Sequence, residues 1–94
     1  MTPLSADQIR DALGSLPSWE PAEGAITAEC RFDDFRQAVA FVVRVAFEAE
    51  AADHHPDIDV RYNRVRLTLS THSAGGVTAK DLELASVIQR LAGR

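Results

Sequence analysis

The sequence predicts an α+β domain in which three helices pack on one face of a four-stranded antiparallel sheet, in the order αββαββα. Two observations predict it: two pairs of runs alternate apolar with polar residues around short turn segments, and stretches of helical period precede, separate and follow those pairs. Alternating strands need cover on one side only, which gathers all three helices into one layer. The 94 residues, 46% apolar and 26% charged, are enough for one domain spanning 1–94.

Ser5-Ala6-Asp7-Gln8 reads as a capping box, in which the Ser5 hydroxyl and the Gln8 side chain satisfy amides that a first helical turn leaves free. Ile9, Ala12, Leu13 and Leu16 follow at helical spacing, and Gly14 and Pro17 stop the helix. An extended segment starts at Trp19 and turns between Pro21 and Gly24; Ile26, Ala28, Cys30 and Phe32 then alternate with Thr27, Glu29 and Arg31. That pattern is a hairpin with one apolar face. Trp19 and the phenylalanines read as core, with Trp19 also placed to wall a pocket for an aromatic ring. Cys30, the sole cysteine, leaves no internal disulfide or multi-thiolate zinc site and reads as a small core residue.

Asp33 or Asp34 caps a long helix running to about Ala52, whose sheet-facing stripe is expected at Phe35, Ala38, Val39, Val42, Val45, Ala46 and Ala49. Val43 and Phe47 fall roughly 100 to 140° from the centre of that stripe. They form a second apolar flank, to be covered by a partner helix or by the last helix of the same chain. Ile58, Val60 and Tyr62 form the next strand, Asn63-Arg64 a two-residue loop, and Val65, Leu67 and Leu69 the return strand. In this register Tyr62 faces Val65, Val60 faces Leu67 and Ile58 faces Leu69. A last helix begins near Thr78, with Asp81 in its first turn and Leu82, Ala85, Ile88 and Leu91 or Ala92 on its buried side.

A formal charge of -4 argues against a nucleic-acid partner, because a polyanion is repelled over most of such a surface. The longest apolar window, Val39 to Val43, is far too short to cross a bilayer, and Met1-Thr2-Pro3-Leu4-Ser5 has no basic stretch leading into an apolar one. No membrane association is expected, and a cytoplasmic location is. A chain of this size buries only about two thirds of its unfolded surface, which favours a homo-oligomer.

The chemistry concentrates in the three histidines, His54, His55 and His72. The predicted register sets His55 opposite His72 on the polar face of the sheet, beside Asp57, Asp59, Arg61, Arg66, Thr68 and Ser70, looking outward from the helical core. Pro56 favours an extended backbone at His55. His54 points the other way, toward the end of the long helix, where Glu50 lies four residues back. Imidazole as a side-chain type titrates near pH 6.5, so a cluster of three supplies both a proton donor and an acceptor at neutral pH. Metal ligation is the rival use, with Asp57 or Glu50 completing a ligand set, but the spacing fits no zinc pattern and adjacent histidines diverge in an extended chain. No metal is expected.

Two carboxylates have open readings. Glu50 sits on the shoulder of the apolar stripe, where it is either partly buried and paired with His54 or solvated near the helix end. Asp81 stabilises its helix dipole whether or not it touches a ligand. Thr71-His72-Ser73-Ala74-Gly75-Gly76 ends a strand in small residues, which lets a flat ligand approach the backbone closely.

Glu50-Ala51-Ala52-Asp53-His54-His55-Pro56, followed at their spacings by Tyr62, His72 and Asp81, resembles the signature of the pterin-4a-carbinolamine dehydratases. Phe32-Asp33-Asp34-Phe35, Tyr62-Asn63-Arg64-Val65 and Thr71-His72 with Gly75-Gly76 extend the likeness, which runs from Leu16-Pro17-Ser18-Trp19 to Leu84-Ala85. The resemblance implies the αββαββα fold, assembled as a homodimer or homotetramer through the long helices. It implies dehydration of 4a-hydroxytetrahydropterin (4a-hydroxytetrahydrobiopterin) to the quinonoid dihydropterin, recycling the cofactor of aromatic amino-acid hydroxylases, one of which is then an expected partner. The pterin is the substrate, and no cofactor is implied.

Under this resemblance the family's active-site histidines map onto His54, His55 and His72, and its motif carboxylates onto Glu50 and Asp81. One of His55 and His72 is expected to act as general acid toward the hydroxyl and the other as ring contact or base. His54, held by Glu50, is expected as a third proton-transfer or orienting group, with Asp81 positioning His72 or the ring edge and Pro56 fixing the junction. Some family members serve as dimerisation partners of a transcription factor, and diverged relatives as assembly chaperones. A non-catalytic assembly partner of the same fold is therefore the alternative, to which Val43 and Phe47 are suited. Phe47 is bulkier than expected for the family, with consequences for helix–helix assembly rather than catalysis.

Overall fold

Ser5 and Gln8 form the capping box that their spacing requires, and helix α1 (Ala6–Leu13) starts from it. A computed structural model describes residues 2–93; Met1 and Arg94, the ends of the predicted domain, lie outside the described residues. Strands β1 (Trp19–Ala22) and β2 (Ala25–Arg31) make the first hairpin, helix α2 (Phe35–Ala52) follows, strands β3 (Asp57–Arg61) and β4 (Arg64–Leu69) make the second, and helix α3 (Ala79–Leu91) closes the fold. The four strands are antiparallel in the order β1-β2-β4-β3, so the predicted α+β architecture is the observed one. Among the described residues no helix is long and apolar enough to cross a membrane.

One sheet face is buried through Ile26, Ala28 and Cys30 of β2 and Val65, Leu67 and Leu69 of β4, against Leu13, Phe41, Val45, Leu84 and Ile88 of the helices. Trp19 belongs to this core. The other face carries Glu29, Arg66, Asp59 and Arg61, all exposed and joined by the pairs Arg61–Asp59 at 3.2 Å and Arg66–Glu29 at 3.9 Å. Such exposed pairs contribute little to stability.

Two sequence expectations are corrected. The second hairpin turns at Tyr62-Asn63 rather than Asn63-Arg64, so Val60 faces Val65 and Ile58 faces Leu67. Tyr62 takes the positive φ of 51° that a two-residue loop demands. Asn63 is held in the turn from both sides: its carbonyl accepts the Phe32 N–H at 2.8 Å, and its Nδ2 donates to the Phe32 carbonyl at 2.8 Å. Because the shift is two residues, the apolar face of each strand is preserved.

Helix α2 is rotated from its expected setting. Ala38, Phe41, Val45 and Ala49 are buried, while Phe35, Val39 and Ala46 are exposed. Phe41 explains the rotation, since its ring lies 4.9 Å from that of Phe32 and takes the central core position. Val43 and Phe47 are 47% and 71% exposed, so α3 does not cover this flank.

The chain leaves α2 abruptly. Asp34 caps the helix at its start, and Asp53 ends it in the left-handed region, at φ 51° and ψ 43°. At the far end of β4, Thr71 pairs with Gly76 across a single 3₁₀ turn (His72–Ala74). Gly76 packs against Pro3, where an added Cβ would approach the proline ring to 3.0 Å. These two reversals bring the histidine-bearing segments to one end of the sheet.

Candidate active site

The left-handed residue Asp53 redirects the backbone so that His54, whose N–H donates to the Ala49 carbonyl at 3.1 Å, faces the start of α3. There Thr78 and Asp81 form a capping box: the Thr78 N–H donates to Asp81 Oδ2 at 2.9 Å. Thr71 Oγ1 donates to the same oxygen at 2.8 Å and lies 2.8 Å from Thr78 Oγ1. A hydroxyl has one hydrogen, so Thr78 must be the donor in that second contact. The other carboxyl oxygen, Oδ1, meets His54 Nε2 at 2.5 Å.

Asp81 is fully buried and the His54 side chain is 13% exposed. A buried carboxyl group is tolerated only when hydrogen-bonded, and this one is bonded through both oxygens. Its acceptance at Oδ1 places the imidazole hydrogen on Nε2 and leaves Nδ1 as the nitrogen available to a ligand. The group ties together the ends of α2 and β4 and the first turn of α3.

His55 Nε2 lies 2.9 Å from Glu50 Oε1, with side chains 57% and 82% exposed. His72 stands exposed in the 3₁₀ turn, where its carbonyl accepts the Gly75 N–H at 3.1 Å and its side chain makes no hydrogen bond among the described residues. All three histidines line one open hollow of about 310 Å³, together with Asp53, Ser70, Thr71, Ser73 and Lys80.

The histidines therefore converge, but not by the expected route. His55 and His72 are not cross-strand partners, because β3 begins at Asp57, β4 ends at Leu69, and the ladder between them is shifted by the Tyr62-Asn63 turn. The hollow lies at the strand ends, beside the helical layer, rather than on the outward sheet face. His54 is held by Asp81 instead of Glu50, Glu50 holds His55, and Asp81 makes no hydrogen bond or ion pair with His72. Glu50 is solvated rather than partly buried. Pro56 is half-buried immediately before β3 and does not line the hollow.

Sequence reasoning missed the structural partners Thr71 and Thr78 and the lining residues Asp53 and Lys80. The Thr78-Ala79-Lys80-Asp81 capping pattern was legible as a signal, whereas the Thr71 contact depends on the 3₁₀ turn. Among the described residues no three His, Cys, Asp or Glu side chains form a group able to hold a metal ion.

The sequence profile of the family described as pterin 4 alpha carbinolamine dehydratase matches residues 2–91. The chain belongs to this dehydratase family. A Gloeobacter violaceus relative with the provisional name pterin-4-alpha-carbinolamine dehydratase 2 is 53% identical over 92 residues, covering 94% of this chain and 100% of its own. A Chloroflexus aurantiacus relative, provisionally named pterin-4-alpha-carbinolamine dehydratase, is 50% identical over 93 residues, covering 99% and 100%.

A crystal structure described as a transcriptional coactivator/pterin dehydratase from Brucella melitensis superposes with a TM-score of 0.93 at 38% identity, covering 98% of this chain and 100% of that one. A pterin dehydratase-like protein described as a RuBisCO assembly factor in the alpha-carboxysome shares the fold, with a TM-score of 0.67 at 21% identity over 80% of this chain and 87% of its own. One fold thus carries both dehydratase and assembly-factor descriptions.

Proposed function

We propose that the chain dehydrates 4a-hydroxytetrahydropterin to the quinonoid dihydropterin, recycling in the cytoplasm the cofactor of an aromatic amino-acid hydroxylase. The observation that carries this reading is the convergence of His54, His55 and His72 on one hollow, with His54 braced by the buried Asp81. Family membership supports the substrate class.

The reaction breaks the bond from C4a to the hydroxyl oxygen and releases water. It needs a proton on that oxygen and removal of one from a ring nitrogen, so a double bond forms as the leaving group departs. Positioned imidazoles contribute on the order of a hundred- to ten-thousand-fold to such transfers. We assign His54 Nδ1 as the base: as it takes the ring proton, the charge on its imidazole is stabilised by the Asp81 carboxylate at Nε2. Of His55 and His72, one donates to the departing oxygen and the other contacts the ring, Glu50 orienting His55. The water and the dihydropterin account for every atom of the carbinolamine.

Stopped-flow measurement on freshly generated carbinolamine tests this reading. A rate above the spontaneous dehydration that falls in His54→Ala and His72→Ala supports it, and a fully active double variant overturns it. The uncovered Val43 and Phe47 on α2 favour a second reading, a role as an assembly partner, beginning with a second copy of the chain. A correctly folded chain without dehydratase activity would favour that alternative.

A further inference from the structure

Lys80 is the only lysine of the chain, and it lies where its charge is poorly placed for the fold. It occupies the first turn of α3, one residue before Asp81. Unpaired amides make that end of a helix electropositive, so acidic residues stabilise it and a cation does not. Nor does the ammonium gain compensation nearby, since it makes no hydrogen bond or ion pair among the described residues. Glu83 stands three positions on, the spacing of a helical ion pair, yet the two do not form one.

What Lys80 does have is position. It lines the histidine hollow, and with His54 it also lines a neighbouring hollow of about 290 Å³ between α2 and α3, bounded by Glu48, Glu83 and Val87. His54 and Lys80 are the two residues common to both. Every other partnered donor in this cluster is already committed: Thr71 and Thr78 to Asp81 and to each other, and the His54 Nε2 hydrogen to Asp81. The ammonium brings three donors and a flexible stem, which suits it to capture an electronegative atom arriving with the substrate.

Resting on the dehydratase reading above, we propose that Lys80 is a substrate-binding residue that donates to the pterin ring carbonyl oxygen. The carbonyl adjoins C4a but is neither formed nor broken in the dehydration, so the contact is made with the bound substrate as well as the transition state and appears in KM rather than kcat. A hydrogen bond to a charged group at so exposed a site is worth about tenfold in affinity.

The test is steady-state and stopped-flow dehydration by wild type, Lys80→Gln and Lys80→Arg, with circular dichroism melting to establish that each is folded. Lys80→Gln is expected to raise KM about tenfold with kcat within twofold, and Lys80→Arg to restore KM to within threefold of wild type. An unchanged KM in Lys80→Gln, a loss confined to kcat, or a Lys80→Arg chain as impaired as Lys80→Gln would each overturn the assignment. A wild-type chain that does not accelerate dehydration at all would instead sink the dehydratase reading, so the two failures are separable.

Discussion

His54 Nε2 and Asp81 Oδ1 lie 2.5 Å apart, joining residues 27 positions distant in sequence across the junction of α2 and α3. The contact does two jobs at once. It selects the imidazole tautomer, and it completes the partners of a fully buried carboxyl group that also caps α3.

Asp81→Asn preserves the size of the side chain, but its amide nitrogen can only donate toward His54 Nε2, which moves the imidazole hydrogen to Nδ1. Dehydration is expected to fall on the order of a hundredfold or more. Stability is expected to fall by about 1–3 kcal/mol, as hydrogen bonds to a charged carboxylate become weaker neutral ones. Stopped-flow kinetics and urea denaturation measure the two effects, and a variant with wild-type kcat would show that the Asp81 charge is irrelevant to the reaction.

Alanine at His54 and at His72 separates chemistry from folding. Both variants are expected to lose dehydration strongly, but only His54→Ala strands the buried Asp81 and costs about 1–3 kcal/mol. The His72 side chain is exposed and makes no hydrogen bond among the described residues, so its removal should change stability by less than about 0.5 kcal/mol. Equal destabilisation of the two would contradict this division.

Glu50→Gln probes an exposed pair. Both partners are largely solvated, so the stability change is expected to stay within about 0.5 kcal/mol. The dehydration rate is expected to drop by less than about tenfold, since Glu50 orients His55 without lining the hollow. A loss beyond a hundredfold would place Glu50 against the substrate.

Tyr62→Asn tests the hairpin. A bulky side chain at φ 51° is strained, and Asn adopts that region more readily. The substitution is expected to raise the unfolding free energy by about 0.5–1 kcal/mol. A lower denaturation midpoint would mean that the exposed tyrosine ring contributes packing that outweighs the strain.

Phe47→Asp addresses self-association. With 71% of the residue exposed, the change should leave the isolated fold intact while disrupting any helix-mediated assembly. Sedimentation velocity is expected to report an oligomer for wild type and a smaller species for the variant; identical coefficients would place the interface elsewhere.

Element order, caps and strand faces were legible because each rests on local rules: Ser5 with Gln8, Asp34, and the alternation through Ile26 and Val65. The two errors arose where local patterns are degenerate. Shifting a hairpin by two residues leaves the same faces apolar, so alternation could not separate an Asn63-Arg64 turn from the observed Tyr62-Asn63 turn, which long-range bonds between Asn63 and Phe32 secure. A helix as apolar as α2 likewise offers more than one stripe, and the packing of Phe41 on Phe32 chose between them.

The same limit applied to the site. His54, His55 and His72 could be recognised as a cluster, but the exchange of partners between Glu50 and Asp81 depends on the left-handed turn at Asp53 and the 3₁₀ turn after β4. Neither has a periodic signal in the chain.

The Thr71–Asp81–Thr78 knot also bears on how the protein fails when heated. Since the carboxyl that steadies His54 is sealed inside the fold and shared by three segments, the imidazole cannot come loose through fraying at a free end alone. Release of His54 from Asp81 is thereby expected to accompany cooperative melting rather than to precede it.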